Sequence, residues 1–380
     1  MAERAPAKIR ILQFLDTLDV GGAEAQMLAV LSRLPSNRYE VRVAWLRGRG
    51  ELAPEFNAAG IRTFRLRMHS PVEPDLAARV LRVLREFRPH IVHSHLFFAD
   101  LVGGLLSQLS AVPVLVTTRH IEEEALRSPA AAFAARRLVG VFDRVVVVSN
   151  AVARFLSKTL NLRESRMRLI PYGFPPRKGL PENSQNGLRA VLGLPPDSRL
   201  VTMVGSLTPR KGVDDLLRAA SLIRDAVPQA RFLLVGRGDQ RRELEETARL
   251  LDLNETVRFL GFRRDVQEIL AGSDLLVLPS HWEGFGLVLL EAMNASLPVV
   301  GTRRGAIPEV VRDGETGLLV PPKDPQALAT ALIRLLSHPE HARAMGRAGL
   351  SRLRREFDMD RAVRAHDDLY VELLREKGFS

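Results

Sequence analysis

The sequence predicts two α/β domains, each built on a doubly wound parallel sheet, and three observations carry that expectation. At 380 residues with 46% hydrophobic content, the chain is too long for one ordinary core and apolar enough for two. Short β-branched runs recur, each followed by a helix-like segment, the alternation that lays helices on both faces of a parallel sheet. Between two sets of such runs, the stretch PYGFPPRKGLPENSQNGLRAVLGLPP at 171–196 crowds prolines and glycines around polar residues, the composition of an interdomain linker.

Taken in order, the strand-like runs of the first half are 9–14, 40–45, 90–93, 113–117 and 144–149. Those of the second half are 200–204, 231–235, 257–260, 275–278, 298–300 and 317–320. Several are almost uninterrupted Val, Ile and Leu, which suits strands covered on both faces. The expected division is a first domain over 1–172, a linker over 173–188 and a second domain over 189–357. After Arg355 the spacing of Val363, Leu369 and Leu373 predicts a helix over about 358–380 that ends the second domain or crosses back onto the first.

Composition narrows the class of protein. There is no cysteine, so neither disulfides nor thiolate metal sites are expected. The opening MAERAPAKIR lacks the apolar run of a secretory signal, and no segment reaches the ~20 apolar residues of a membrane span. A cytoplasmic protein is expected, either free or peripheral on the inner face of a membrane. The net charge of +11 falls wholly in the first half: residues 1–180 hold 27 Lys+Arg against 16 Asp+Glu, and the remainder holds 28 of each. That asymmetry fits either an anionic surface such as phospholipid or an arginine-rich solvated face. No nucleic-acid partner is expected.

The densest chemical signal is LPSHWEGFGLVLLEAM in the second half. It starts where a buried strand ends, the place where open α/β sheets bind ligands, and passes through Gly284 and Gly286 into a helix. Glycines there let backbone amides approach an anion at a helix N-terminus. Glu283 sits in the turn, and Glu291 follows about two helical turns later, where a carboxylate can accept both hydroxyls of a ribose. A capping Glu and an exposed helical Glu are the plainer alternative. In VGSLTPRKGVDDLL, Arg210 and Lys211 follow a strand terminus, where a cation suits a diphosphate whose charge grows as a bond to it breaks. Asp214 and Asp215 are the expected cap and first-turn acids of the next helix. In DVGGAEAQM, Gly21 and Gly22 stand between the first strand and a helix, a second point for phosphate to meet bare backbone.

The ordered set of GGAE at 21–24, TTRH ending at His120, VVVVSNAV around Ser149, IPYGF at 170–174, VGSLTPRKG at 204–212, LLVGRG at 233–238, VRFLGF at 257–262, PSHWEGFGLVLLEAM and PVVGTRRGAIPEVVRDGETGLLVPP resembles family 4 of the glycosyltransferases over nearly the whole chain. The resemblance implies the GT-B fold: two Rossmann-like domains facing a cleft, donor on the second, acceptor on the first, and a C-terminal helix crossing back. It also implies a retaining enzyme that uses a nucleoside-diphosphate sugar, a carbohydrate or lipid-linked acceptor, no cofactor and no metal. Carried over by motif, Glu291 holds the ribose, Lys211 the diphosphate, and Glu283 with the amides of Gly284, Phe285, Gly286 and Leu287 the sugar and phosphates. His120 takes the family's place beside the transferred sugar, Gly22 lets the loop after Gly21 close over the diphosphate, and the nucleobase lies near Gly261 and Phe262.

One residue departs from the pattern: Ser206 stands where the family usually has an arginine, so that either Arg210 supplies the second cation by reach or affinity for the donor is lower. Other residues invite functional readings that plainer ones outweigh. His93 and His95 alternate at a strand end, but packing or acceptor contact fits them better than a metal. Asp358-Met359-Asp360 has the look of a metal-binding DxD, yet it precedes a helix that it suits as a cap. Gly236-Arg237-Gly238 lacks a third glycine and argues only for a tight turn. Arg79, Arg82, Arg85 and Arg88 step along a helix among Val80, Leu81, Val83 and Leu84, more simply a packed surface helix than a membrane one. A nucleotide-sugar epimerase of the same fold and a non-catalytic two-lobed sugar-binding protein are the rival functions; the first converts donor without acceptor, the second needs no phosphate site.

Overall fold

A computed structural model of the chain describes residues 8–70, 73–121, 126, 128–175 and 184–379. The chain divides into two compact units, one running as far as Gly173 and resuming at Met359, the other spanning Phe174–Asp358. Of the segment read as linker, residues 176–183 lie outside the described residues, and the helix Ser184–Val191 begins within the remainder.

Among the described residues the first unit holds a seven-stranded sheet in the order β3-β2-β1-β4-β5-β6-β7. Its strands are β1 (Ile9–Thr17), β2 (Tyr39–Arg47), β3 (Arg62–Arg65), β4 (Ile91–His95), β5 (Val114–Arg119), β6 (Arg144–Val147) and β7 (Met167–Leu169). The second unit holds a six-stranded sheet in the order β10-β9-β8-β11-β12-β13, from β8 (Arg199–Val204), β9 (Ala230–Val235), β10 (Val257–Gly261), β11 (Leu275–Leu278), β12 (Val299–Thr302) and β13 (Gly317–Val320). The ladders are parallel throughout. Strand order reverses between β1 and β4 in one sheet and between β8 and β11 in the other, the doubly wound arrangement expected from sequence.

Two strands escape the sequence reading, and both are sheet edges. β3 reads RTFR with both arginines exposed, and β7 reads MRL with its leucine exposed. An outermost strand has one neighbour and one solvated flank, so it needs no run of buried β-branched residues to be recognised by. The central strands β5 and β11, by contrast, are buried at every residue.

The final helix, Met359–Glu376, belongs to the first unit. Met359, Val363, Leu369, Leu373 and Leu374 are buried in the cluster that contains Ile11 and Val43 of the first sheet and Met27 and Val30 of the helix Gly22–Leu31. Polar bonds reinforce this packing: Arg38 and the Tyr39 hydroxyl both donate to Asp367, and Arg144 reaches Glu372. The arginine-rich helix Pro74–Phe87 buries Leu76, Val80, Leu84 and Phe87. It leaves Arg82 and Arg85 exposed, while Arg79 turns back to the Leu66 carbonyl and to Glu73. Its outward face is thus charged, without an apolar stripe. Among the described residues no helix is long and apolar enough to cross a membrane.

Leu373 is fully buried, so Leu373→Ala should destabilise the first unit by about 2–5 kcal/mol in urea unfolding. A cost below about 0.5 kcal/mol, the range of surface substitutions, would show that the helix contributes nothing to that core.

Candidate active site

In the second unit the residues singled out from sequence gather at the carboxyl ends of the strands, most closely on the two strands that flank the reversal of order. The chain leaves β8 at Val204, makes a short 3₁₀ turn over Pro209–Lys211 and enters the helix Val213–Ile223 through Gly212. Gly212 has φ +64°, and a Cβ there would lie 2.3 Å from the Pro279 carbonyl oxygen, so only glycine lets this loop close against the turn that follows β11. The expected cap is corrected here. Gly212 is the N-cap, and Asp214 and Asp215 both lie in the first turn, where they oppose the helix dipole's positive end.

That closure brings Lys211 to Glu283. The Lys211 Nζ donates to Glu283 Oε1 at 2.5 Å, the Ser280 hydroxyl donates to the same oxygen at 2.7 Å, and Arg210 reaches Oε2 at 3.3 Å and the Trp282 carbonyl at 2.9 Å. Backbone bonds complete the lock: His281 N–H donates to the Arg210 carbonyl and Ala306 N–H to the Glu283 carbonyl. The His281 ring meets Asp215 at 2.6 Å. Glu283 is 5% exposed; burial opposes its ionisation, but Lys211 and then Arg210 outweigh it and hold the carboxyl below its ordinary range. Lys211 is therefore a cation fixed in place by a buried carboxylate. Arg210, expected to reach as the second phosphate cation, directs its guanidinium at the Trp282 carbonyl and Glu283, and Ser206 is exposed with its hydroxyl 3.4 Å from that of Thr208.

Downstream of Glu283, Gly284 and Phe285 are buried, and the Phe285 ring packs edge-on against Phe357. Gly286, at φ +83°, caps the helix Leu287–Asn294, whose first N–H groups have no partner within the helix. Glu291 lies on this helix beside Gln267; burial pushes its carboxyl up to about 7 against the pull of the Gln267 amide. At the end of β10, the Gly261 carbonyl accepts from Gly236 N–H, and the exposed Phe262 ring carries the Arg237 guanidinium 5.0 Å from its centroid.

The first unit holds Gly21, Gly22 and His120. Gly21 is the extended N-cap of the helix Gly22–Leu31. A Cβ on it would lie 2.3 Å from Glu24, whose half-buried carboxyl is shifted upward by desolvation and accepts from the Thr17 hydroxyl. His120 follows β5 directly after Arg119, which is fully buried in an ion pair with Asp100; Asp100 also accepts from the Ser94 and Thr117 hydroxyls. This fastens the ends of β4 and β5 to each other, immediately before His120. The His120 ring stacks on His95, with Nε2 2.8 Å from His95 Nδ1 and Nδ1 2.7 Å from the Tyr172 hydroxyl. Burial, with Arg119 adding to it, brings His120 down to about 3, so the ring is neutral.

His93 and His95 are both buried, with every ring nitrogen engaged: His93 by Tyr370 and Thr118, His95 by His120 and Gln13. They pack as the plainer reading had it. Asp360 lies in the first turn of the final helix and Asp358 makes a backbone bridge to Phe174. Among the described residues no group of three or more His, Asp or Glu is placed to hold a metal ion. Sequence reasoning passed over Gln13, Tyr172, Tyr370, Asp100 and Arg119. Gln13 had left a trace, as the one polar residue inside the apolar run ILQFL.

Residues 184–352 match the family model described as glycosyl transferases group 1, and residues 20–178 match that of glycosyltransferase family 4. The chain is 30% identical to a D-inositol 3-phosphate glycosyltransferase of Acidothermus cellulolyticus over 394 residues, covering 94% of this chain and 87% of that protein. It is 27% identical to the N-acetyl-alpha-D-glucosaminyl L-malate synthase of Bacillus anthracis, over 84% of each. Among solved structures, Anabaena Alr3699/HepE in complex with UDP-glucose superposes with a TM-score of 0.85 at 25% identity, covering 96% of this chain and all of that one. WaaG, a glycosyltransferase involved in lipopolysaccharide biosynthesis, superposes at 0.75 with 20% identity over 94% and 99% of the two chains, a likeness of fold. Two Rossmann-like units, matched one by each family model, with the final helix belonging to the first, make this chain a glycosyltransferase of family 4 with the GT-B fold.

Proposed function

We propose that the chain transfers a sugar from a nucleoside-diphosphate sugar to an acceptor hydroxyl with retention at the anomeric carbon. The observation that carries this reading is the Lys211–Glu283 pair, a cation held rigidly beside the point where the second sheet reverses its strand order. A fixed positive charge there stabilises the diphosphate as the glycosidic bond breaks, and it does so without reorganising at the moment of reaction. In this reading Glu291 accepts the ribose hydroxyls, and the amides at 284–287 with the start of the helix Leu287–Asn294 receive phosphate oxygens. The nucleobase lies against Gly261 and Phe262, and Gly21 and Gly22 give the loop before the helix Gly22–Leu31 its close approach to the diphosphate. His120 stands beside the transferred sugar.

No carboxylate is assigned as nucleophile. Glu283 is occupied by Lys211, Ser280 and Arg210, so a same-face attack, in which the departing phosphate takes the acceptor proton, suits these residues better than a covalent intermediate. Lys211 and the helix N-terminus supply the positive field that a divalent metal provides in other sugar-transfer sites, and we assign no metal or cofactor. The complex of the Anabaena protein with UDP-glucose and the sugar-transferring relatives support a nucleotide sugar as donor. The acceptor is a carbohydrate or lipid-linked glycan of the cell surface, reached from the cytoplasmic face by a basic first unit resting on anionic lipid.

Three outcomes follow from these assignments. Lys211→Ala should lower kcat about 10²-fold, and Glu291→Ala should raise the Kd for the nucleotide about tenfold; a thermal-shift panel of uridine, guanosine and adenosine diphosphates identifies which nucleotide to use. Unchanged kinetics in both variants would defeat the site. The second concerns pH. Because the Glu291 carboxyl is shifted up to about 7, it holds a proton below that pH, and the proton competes with the ribose hydroxyls for its lone pairs. Affinity for the nucleotide should therefore fall as pH drops below 7, by up to about tenfold in all, relative to Glu291→Gln, and parallel pH profiles for the two proteins would count against the clamp. The third concerns the membrane. Since the helix Pro74–Phe87 offers charge without an apolar stripe, cosedimentation with anionic vesicles should be strong at low salt and lost at high salt, and indifference to anionic lipid at low salt removes the surface reading.

A further inference from the structure

Six hydrogen bonds run head to tail through the interior of the first unit. They join Tyr172 to His120, His120 to His95, His95 to Gln13, Gln13 to Tyr370, Tyr370 to His93 and His93 to Thr118, at 2.7, 2.8, 2.7, 3.1, 2.7 and 2.6 Å. The chain begins on the loop after β7, crosses β4 and β1, touches the final helix and ends on β5. These residues line one small cavity of about 30 Å³, the room of a single water. Burial holds His93, His95 and His120 neutral and keeps the hydroxyls of Tyr172 and Tyr370 protonated. Every link is then a bond between neutral groups, and each proton position follows from its neighbour's.

We propose that Gln13 is a positioning residue whose amide, acting through His95, holds His120 as the tautomer that carries its proton on Nε2 and presents a bare Nδ1. The amide is the one group in the chain whose donor and acceptor ends are chemically distinct. Its nitrogen donates to the Tyr370 hydroxyl, so its oxygen faces His95 and must accept from Nε2–H. His95 Nδ1 is then bare and accepts from His120 Nε2–H, and His120 Nδ1 accepts from the Tyr172 hydroxyl. On the other arm Tyr370 donates to His93 Nδ1, and His93 Nε2–H donates to Thr118. Turning the amide over would reverse all six bonds together, which makes the two directions distinct and measurable. The arrangement gives His120 an acceptor at Nδ1: a hydroxyl that takes the place of Tyr172 there meets a lone pair. Its bearing on transfer rests on the reading above in which His120 stands beside the sugar.

The test is the ring-nitrogen NMR spectrum of the ¹⁵N-labelled full chain without ligand, with His120 and His93 assigned from the signals lost in His120→Asn and His93→Asn. The wild type should show His120 with a protonated Nε2 and a bare Nδ1. A His120 protonated on Nδ1, or a mixture of the two forms, overturns the proposal. Gln13→Glu keeps an acceptor for His95 but no donor for Tyr370, so it should leave His120 unchanged and move the His93 proton to Nδ1. Gln13→Leu should release both rings into mixed tautomers. An unaltered His120 in a folded Gln13→Leu protein shows that the amide does not hold it, and this too overturns the proposal. In kinetics Gln13→Leu should lower kcat about tenfold while the KM for donor changes less than about twofold, a split that general loosening of the fold would not produce. If the tautomer behaves as stated and kcat does not respond, the placement of His120 beside the sugar is what fails.

Discussion

The second unit of this enzyme is organised around one buried carboxylate. Glu283 accepts from Lys211, Arg210 and Ser280 through its side chain and from Ala306 through its carbonyl, so the loops that follow β8, β11 and β12 are tied to a single residue. A lone carboxylate so buried would take up a proton; two cations make its ionised form the stable one. The dependence runs both ways, because the same attraction immobilises a lysine that would otherwise sample many rotamers. The turn singled out for Glu283 and its backbone amides is in this way also the clamp that fixes the lysine.

The two units solve the problem of buried polarity in opposite ways. At the carboxyl edge of the second sheet the polar groups are charged and paired. In the first unit a row of histidines and tyrosines is kept neutral, and its satisfaction comes from hydrogen bonds running in one direction, which strengthen one another in a medium of low polarity. The Arg119–Asp100 pair is the exception there, and it sits one residue from the neutral row, where its net charge cancels.

What could be read in the sequence follows from which forces leave a local imprint. Buried parallel strands write themselves as runs of Val, Ile and Leu, so the central strands of both sheets and their doubly wound order were legible. β3 and β7 were not, because an edge strand such as RTFR buries too little to need an apolar run. Glycines and a lysine at strand ends are the marks that a phosphate-binding turn would leave, and Lys211, Glu283 and Gly286 stood out for that reason. The direct bond between Lys211 and Glu283 was not visible, since it joins residues 72 apart and depends on Gly212 letting two loops touch. Gln13 and Tyr370 were harder still. Neither carries a motif, and their bond spans 357 positions, so nothing local marks them beyond one amide in an apolar strand.

The return of the helix Met359–Glu376 to the first unit also sets an order of assembly. The second unit is an insertion: Phe174–Asp358 is a contiguous stretch that can close as soon as it leaves the ribosome, whereas the first unit must wait for Leu369, Tyr370 and Leu373 to emerge some two hundred residues after its last strand. Domains usually mature from the N-terminus onward. Here the half synthesised first is completed last, and until then the face of its sheet that awaits the helix remains uncovered, a stage at which the newborn chain has most need of a chaperone.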